Sequence, residues 1–249
     1  MRPHLRTLAG SAIVGLVLIG SVTGCTEPSS GPTAEAINAT LAKRISAEPS
    51  GWRSAGIEGK HVSVQLRADQ SALADSLISE FGNRVSVRLG NFPYPDRGTG
   101  MVTDVCVDRL AEAKESVNSL TATVQTASLT VTPGADFRTT VTVKNAGSAP
   151  LVAESEQPLT AIVLRADTDE VLATYEAGIA GTGLGLNLAA GAGSSIDVYG
   201  GTASCDPQLG WALPRGNYEV VVLVPLYHVE NDRNVVEYLA TPRAPLRVG

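Results

Sequence analysis

Between residues 33 and 119 the spacing of apolar positions changes several times. Ile37, Leu41 and Ile45 recur four apart, one face of a helix, with Thr33 placed to cap it and Pro49 and Gly51 to end it. Val62, Val64 and Leu66 alternate with polar residues and predict a strand. A second helical stripe follows in Leu73, Leu77, Ile78 and Phe81, with Asp69 or Ser71 as its cap and Gly82 where a helix-ending glycine belongs. Val85, Val87 and Leu89 alternate again. Strand, helix and strand over about 30 residues read as one βαβ unit with a right-handed crossover. Val107, Leu110, Ala111, Lys114 and Val117 predict a last helix, capped by Asp104.

From Leu120 onward a period of two dominates. Segments 121–124, 129–131, 137–144, 159–164, 171–175, 195–199, 218–226, 235–239 and 246–248 read as strands, with Pro133-Gly134 and Asp167-Thr168-Asp169-Glu170 as turns between them. Gly178 to Gly193 is rich in glycine and reads as a surface loop, the place where a binding site is expected. The expected inward face is Val124, Leu129, Val131, Val141, Val143, Ile162, Leu164, Ile196, Val198, Val220, Val222 and Val224. The fold class is therefore α+β for the first region, a small βαβ-containing domain at 34–119. An all-β antiparallel sandwich follows at 120–249.

Three segments of the second region carry a resemblance. Val141-Thr142-Val143-Lys144-Asn145-Ala146-Gly147 is similar to the V-x-V-x-N-x-G edge of the immunoglobulin-like sandwiches of bacterial surface proteins. Leu188-Ala189-Ala190-Gly191 resembles their L-x-P-G hairpin, with Ala190 in place of proline. Leu213-Pro214-Arg215-Gly216-Asn217-Tyr218-Glu219-Val220 resembles their L-P-x-G-x-Y-x-V entry to a late strand. The resemblance implies an immunoglobulin-like fold. Some modules of that kind inhibit proteases, and others bind cell wall or partner proteins.

The first 25 residues set the expected location. Arg2, His4 and Arg6 precede an apolar run from Leu8 to Gly20, and small residues follow. The run is shorter than the roughly 20 residues a membrane-spanning helix needs. Val22-Thr23-Gly24-Cys25 resembles the lipobox of bacterial lipoproteins. That resemblance implies a signal peptide at 1–24, cleavage after Gly24, and acyl chains on Cys25. Residues 25–33 then form a Pro/Ser/Gly tether that cannot bury a core. The expected address is the extracytoplasmic side of the cell membrane, held by lipid.

Charge and cysteines narrow the partners. Removing Arg2 and Arg6 leaves 17 basic against 25 acidic side chains, a net charge of −8. No basic run remains, so nucleic acid is excluded as a ligand, and contact with the membrane is assigned to lipidated Cys25. Lysine is confined to Lys43, Lys60, Lys114 and Lys144, a bias toward arginine that resembles actinobacterial chains. Cys106 and Cys205 are an even pair in an oxidising compartment and read as a disulfide stapling the two regions, with two separately buried thiols as the alternative.

Candidate chemistry is sparse. His61 and His228 lie at strand ends with no catalytic motif around them, and no G-x-S-x-G elbow occurs. His228, Glu230 and Asp232 have metal-like spacing but sit at a hairpin tip, and Asp167, Asp169 and Glu170 lack the D-x-D-x-D-G calcium pattern. Gly181-Thr182-Gly183-Leu184-Gly185 has no helix after it, so it does not read as a phosphate loop. No cofactor or metal is expected. Phe92 and Tyr94, stiffened by Pro93 and Pro95 at the carboxyl end of a strand, are the candidate contact surface of the first region. These readings predict a non-enzymatic, membrane-anchored interaction or structural module whose partner is another envelope protein or a cell-wall component. The alternative is a protease inhibitor, or a protease-associated regulator, acting through a sandwich loop such as 178–193 or the loop around Cys205.

Overall fold

Thr33 opens helix α1 (Ala34–Ala47), its Oγ1 accepting from the Ala36 N–H at 3.3 Å. The computed structural model describes residues 31–95, 106, 109–125, 128–176, 181–230 and 233–249. The signal peptide and nearly all of the tether, Cys25 included, lie outside the described residues. Strand β1 (Trp52–Glu58) turns through Gly59 and Lys60 into β2 (His61–Leu66), an antiparallel hairpin. Gly59 sits at φ +62°, which a two-residue hairpin turn of this kind requires. Helix α2 (Ser71–Phe81) follows and ends at Gly82. Neither Asp69 nor Ser71 caps it. Gln70 is the capping position, and the Asp69 carboxylate accepts from Arg67 and Gln70 side chains instead. β3 (Val85–Leu89) pairs parallel to β2, and β4 (Phe92–Tyr94) returns antiparallel to β3. The sheet order is β1-β2-β3-β4.

The alternation of this sheet gives it two unlike faces. Val62, Val64, Leu66, Val85, Val87 and Leu89 are buried with Trp52, Ile37, Leu41 and Leu77, so both helices contribute to one apolar cluster. Arg44 of α1 joins Glu80 of α2 through two hydrogen bonds at 2.6 and 2.7 Å. The intervening positions Arg53, Gln65 and Arg88 occupy the other face.

The remaining strands are β5 (Ala113–Lys114), β6 (Leu120–Val124), β7 (Leu129–Val131), β8 (Asp136–Asn145), β9 (Leu151–Gln157), β10 (Leu159–Arg165), β11 (Val171–Thr174), β12 (Thr182–Leu188), β13 (Gly193–Gly201), β14 (Ala203–Ser204), β15 (Gly216–Glu230), β16 (Arg233–Ala240) and β17 (Ala244–Val248). β6, β8 and β13 make one layer. The other is built on β15, which pairs in turn with β17, β10 and β16 and meets β9, the partner of β12. β10 joins the layers, running parallel to β13 at Leu159 and Thr160 and then antiparallel to β15. Leu120, Val141, Val143, Leu159, Val163, Ile196, Val198, Val220, Val222, Val224 and Leu246 meet in one core between them. The molecule is thus mostly β, and its larger part is a β-sandwich.

Three expectations are corrected here. The helix drawn through 107–117 is, in the described residues, a single turn at Leu110–Glu112 followed by β5. β5 pairs parallel with Tyr238 and Leu239, and Val117 is buried in the sandwich core, so residues from Leu110 onward pack with the sandwich rather than with α1 and α2. Ile162 and Leu164 do not face the main core. β10 is covered on both sides, and these two pack with Val221 beneath Leu110, Val171, Leu223 and Ala240. The glycine-rich stretch is not one long loop, since 182–188 is strand β12 in unbroken antiparallel register with β9. Its leucines decide this: Leu186 and Leu188 point into the core, and glycines occupy alternate positions on the solvent face.

Two of the turn segments have clear physical roles. Asn145 is buried, and its Nδ2 donates to the carbonyls of Ala149 at 2.8 Å and Leu188 at 3.1 Å while its Oδ1 accepts from the Gly147 N–H at 2.9 Å. It ties the β8–β9 connection to the end of β12. Tyr218 packs against the core and donates its hydroxyl to the Pro214 carbonyl at 2.8 Å, which fixes the entry to β15.

Candidate interaction site

Pro32–Gly249 forms one compact unit, and its polar junction lies where the second face of the small sheet meets the sandwich. Arg53 reaches across with Nη2 on Asp136 Oδ2 at 2.5 Å and Nε on Glu176 Oε1 at 2.9 Å. Its guanidinium lies 5.4 Å from the centre of the Tyr175 ring. The Glu176 side chain is fully buried, and burial pushes its carboxyl up to about 7 against the pull of the Arg53 charge. Gln65 Nε2 donates to the Glu176 carbonyl at 3.1 Å.

Cys106 and Cys205 are joined, with Cα atoms 5.9 Å apart. The bridge sits at the same junction: Asn91, in the turn between β3 and β4, donates from Nδ2 to the Ser204 carbonyl at 2.9 Å and lies 3.8 Å from Cys106 Sγ. The staple expected from cysteine parity therefore runs beside the point where the small sheet meets the sandwich.

Phe92 and Tyr94 belong to this junction too, and that corrects their reading as a free contact platform. Phe92 is 1% exposed. Its ring centre is 6.2 Å from that of Trp211, a sandwich residue, and that of Tyr94 is 5.5 Å away. Tyr94 donates its hydroxyl to Asp75 Oδ1 at 2.5 Å. The partner that Phe92 and Tyr94 meet is the chain's own Trp211. Nothing in the spacing of residues 92 and 211 along the chain announces that contact.

A second place on the surface is open. Glu154 and Glu156 of β9, Gly183 and Gly185 of β12 and Tyr227 of β15 lie together on the outer face of three neighbouring strands, in register as Glu156↔Gly183, Glu154↔Gly185 and Glu154↔Tyr227. A groove of about 500 Å³ runs over them. Tyr227 donates to Glu156 Oε2 at 3.0 Å, and burial, reinforced by that carboxylate, raises its phenol to about 12. The hydroxyl is therefore held as a donor. The glycines at 181, 183 and 185 stand out in the sequence but read there as part of a loop, whereas Glu154, Glu156 and Tyr227 carry no motif. The legible signal was G-L-G-L-N-L, a strict alternation.

The other candidates are accounted for in part. His228 is exposed on β15 opposite Val235, while Asp232 of the suspected metal trio lies outside the described residues. Among the described residues no group of three metal-ligating side chains converges. In the acidic turn, Glu170 pairs with Arg165 at 2.5 Å, and Arg243 bonds both Asp169 and Glu219. His61 opens β2 opposite Glu58.

No protein-family model matches the chain, and no curated protein matches it. The chain is similar at a low level to several solved structures. One is the sporulation control protein Spo0M of Bacillus subtilis, at 16% identity over 53% of this chain and 49% of that one, TM-score 0.23. The chain thus matches about half of Spo0M's length. Another is the PapD-like domain 7 of human CEP192, at 13% identity over 53% of this chain and 85% of that one, TM-score 0.23. A third is the CooA pilin subunit of enterotoxigenic Escherichia coli, at 12% identity over 53% of this chain and 99% of that one, TM-score 0.21.

Proposed function

We propose that this chain is a lipid-anchored recognition module of a bacterial cell envelope, non-enzymatic and facing the extracytoplasmic side. Acylated Cys25 holds it to the membrane, and the tether at 25–33 presents the folded part to another envelope protein or to the cell wall. The observation that carries this reading is the Cys106–Cys205 bridge, because disulfides persist in oxidising compartments and the leader with Val22-Thr23-Gly24-Cys25 delivers a chain to one. The bridge also fits a protein that must keep its two parts aligned while tethered. The Asn145 and Tyr218 turns support placing the sandwich among immunoglobulin-like modules. Of the two loops named for the protease-inhibitor alternative, 178–193 contains strand β12, so the loop around Cys205 is the one left to carry it.

The test is Cys25→Ser in the native host. It leaves an unprocessed precursor, abolishes globomycin-sensitive cleavage and moves the protein out of the detergent phase. Unchanged detergent partitioning of that variant sinks the reading.

A further inference from the structure

The glycines of β12 have no reason internal to the fold. Gly200 shows what such a reason looks like: a Cβ there would sit 2.1 Å from Phe137 Cζ, so the ring packs on bare backbone. Gly183 and Gly185 differ. A Cβ on either meets nothing within 4 Å, neither has a positive φ, and the pairing of β12 with β9 carries no bulge. Glycine in a strand interior is destabilising, and with strain, crowding and bulges excluded, what remains is close approach of something outside the chain.

The edge beside them is bare as well. Among the described strands β12 pairs with β9 alone. Its seven residues, TGLGLNL, hold no lysine, proline or other charge, the devices that ordinarily blunt an edge. The face behind the glycines is acidic. Glu154 and Glu156 are two apart on β9, both on the outer side, and neither forms an ion pair with a basic side chain among the described residues. Next along the same side of β9 stands Val152, 77% exposed.

We propose that the free edge of β12 takes up an extended polypeptide segment of a partner as an added strand, and that this segment carries basic side chains at alternate positions. A strand added there lies about 4.8 Å from β12 and about twice that from β9. Side chains two apart on its outer face share the period of Glu154 and Glu156. Long basic side chains then run across β12, and they pass only because Gly183 and Gly185 have no side chains to block them. The carboxylates receive them, Glu156 being fixed by the Tyr227 hydroxyl. Main-chain pairing supplies affinity, and the carboxylates supply sequence preference. This rests on the recognition reading above and names the surface and the chemistry of its partner.

The probe is a labelled seven-residue peptide alternating arginine and threonine, titrated by fluorescence anisotropy into the full-length chain in detergent micelles. Controls alternate glutamate or glutamine with threonine. The arginine peptide binds, its affinity falls with salt, and the β12 amides gain protection from hydrogen exchange. Gly185→Lys fills the shelf and weakens binding at least about tenfold, and Glu154→Gln with Glu156→Gln weakens it by about tenfold and flattens the salt dependence. The second variant leaves the glycines in place, so it still tests the site if Gly185→Lys does not fold. The proposal is overturned if the arginine peptide fails to bind, if the control peptides bind as well, if neither variant changes affinity, or if soluble cell-wall glycan fragments occupy the groove instead. Anchoring is separate: a Cys25→Ser chain that stays in the detergent phase and still binds the peptide removes the membrane reading and leaves this one.

Discussion

The small sheet and the sandwich dispose of their surfaces in opposite ways. The small sheet buries one face under two helices and turns a polar face, with Arg53 and Gln65, toward its neighbour. The sandwich closes two layers over a shared apolar core and, among the described strands, leaves β12 paired with β9 alone. Each part thus has an apolar core of its own, and among the described residues they are joined by a buried ion cluster, the side-chain hydrogen bonds of Gln65 and Asn91, the aromatic contacts around Trp211 and one disulfide. Regions joined in this way are expected to separate under stress before either core fails.

Removing the covalent link is the strongest way to break the junction. Cys106 and Cys205 are 99 residues apart, and closing a loop of about 100 residues is credited with about 4.7 kcal/mol before strain. Cys106→Ser with Cys205→Ser should lower the unfolding midpoint sharply and split one transition into two, as followed by calorimetry. A single transition at an unchanged midpoint would show that the two parts do not depend on the staple.

Arg53→Ala attacks the same boundary without touching either core. It takes the cation away from the buried Glu176 and from Asp136, and loss of these charged hydrogen bonds should cost up to about 3 kcal/mol, less than a stranded buried charge because Glu176 can take up a proton. Amide exchange should rise first in β1 and in the Tyr175–Glu176 segment. Uniform acceleration through the sandwich core would mean that the two parts unfold as one.

Acidity tests the same cluster with a defined sign. Glu176 holds its proton more tightly folded than unfolded, its pKa being raised from 4.5 to about 7. Its contribution therefore favours the folded state below about pH 4.5 and is lost as the pH rises through about 7, a swing of roughly 3 kcal/mol. Glu176→Gln should flatten that part of the stability profile and raise stability at pH 8. Identical profiles for the two proteins between pH 4.5 and 7.5 would contradict the assignment.

The smallest effects distinguish the two kinds of glycine. Gly185→Val, at an unstrained strand position with open space around it, should stabilise by about 0.5–1 kcal/mol. Gly200→Ala should destabilise, because its Cβ would enter the Phe137 ring. Chemical denaturation reads both, and the contrast in sign is the result that matters.

Local pattern alone specified α1 with its Thr33 cap, the extent of α2, the paired strands on either side of it and most of the sandwich strands. In each the side chains that repeat along the chain are the ones that become buried. Parity also anticipated the disulfide, and the turn motifs placed Asn145 and Tyr218 where their hydrogen bonds close the chain. The hairpin returns at Gly59-Lys60 and Gly90-Asn91 were equally readable in retrospect, since both place glycine at a positive φ between short strands. Tertiary structure alone decided the rest. The segment 110–117 has helical spacing, yet the open side of β16 offers it a strand partner. Ile162 and Leu164 alternate as an inward pair, yet β10 is covered on both sides. Phe92 looks like a platform until Trp211, over a hundred residues later, lies against it. The glycines at 183 and 185 look like a loop until Leu186 and Leu188 find the core. In each case the deciding contact joins residues distant along the chain, and a local period records which face is apolar but not what will come to cover it.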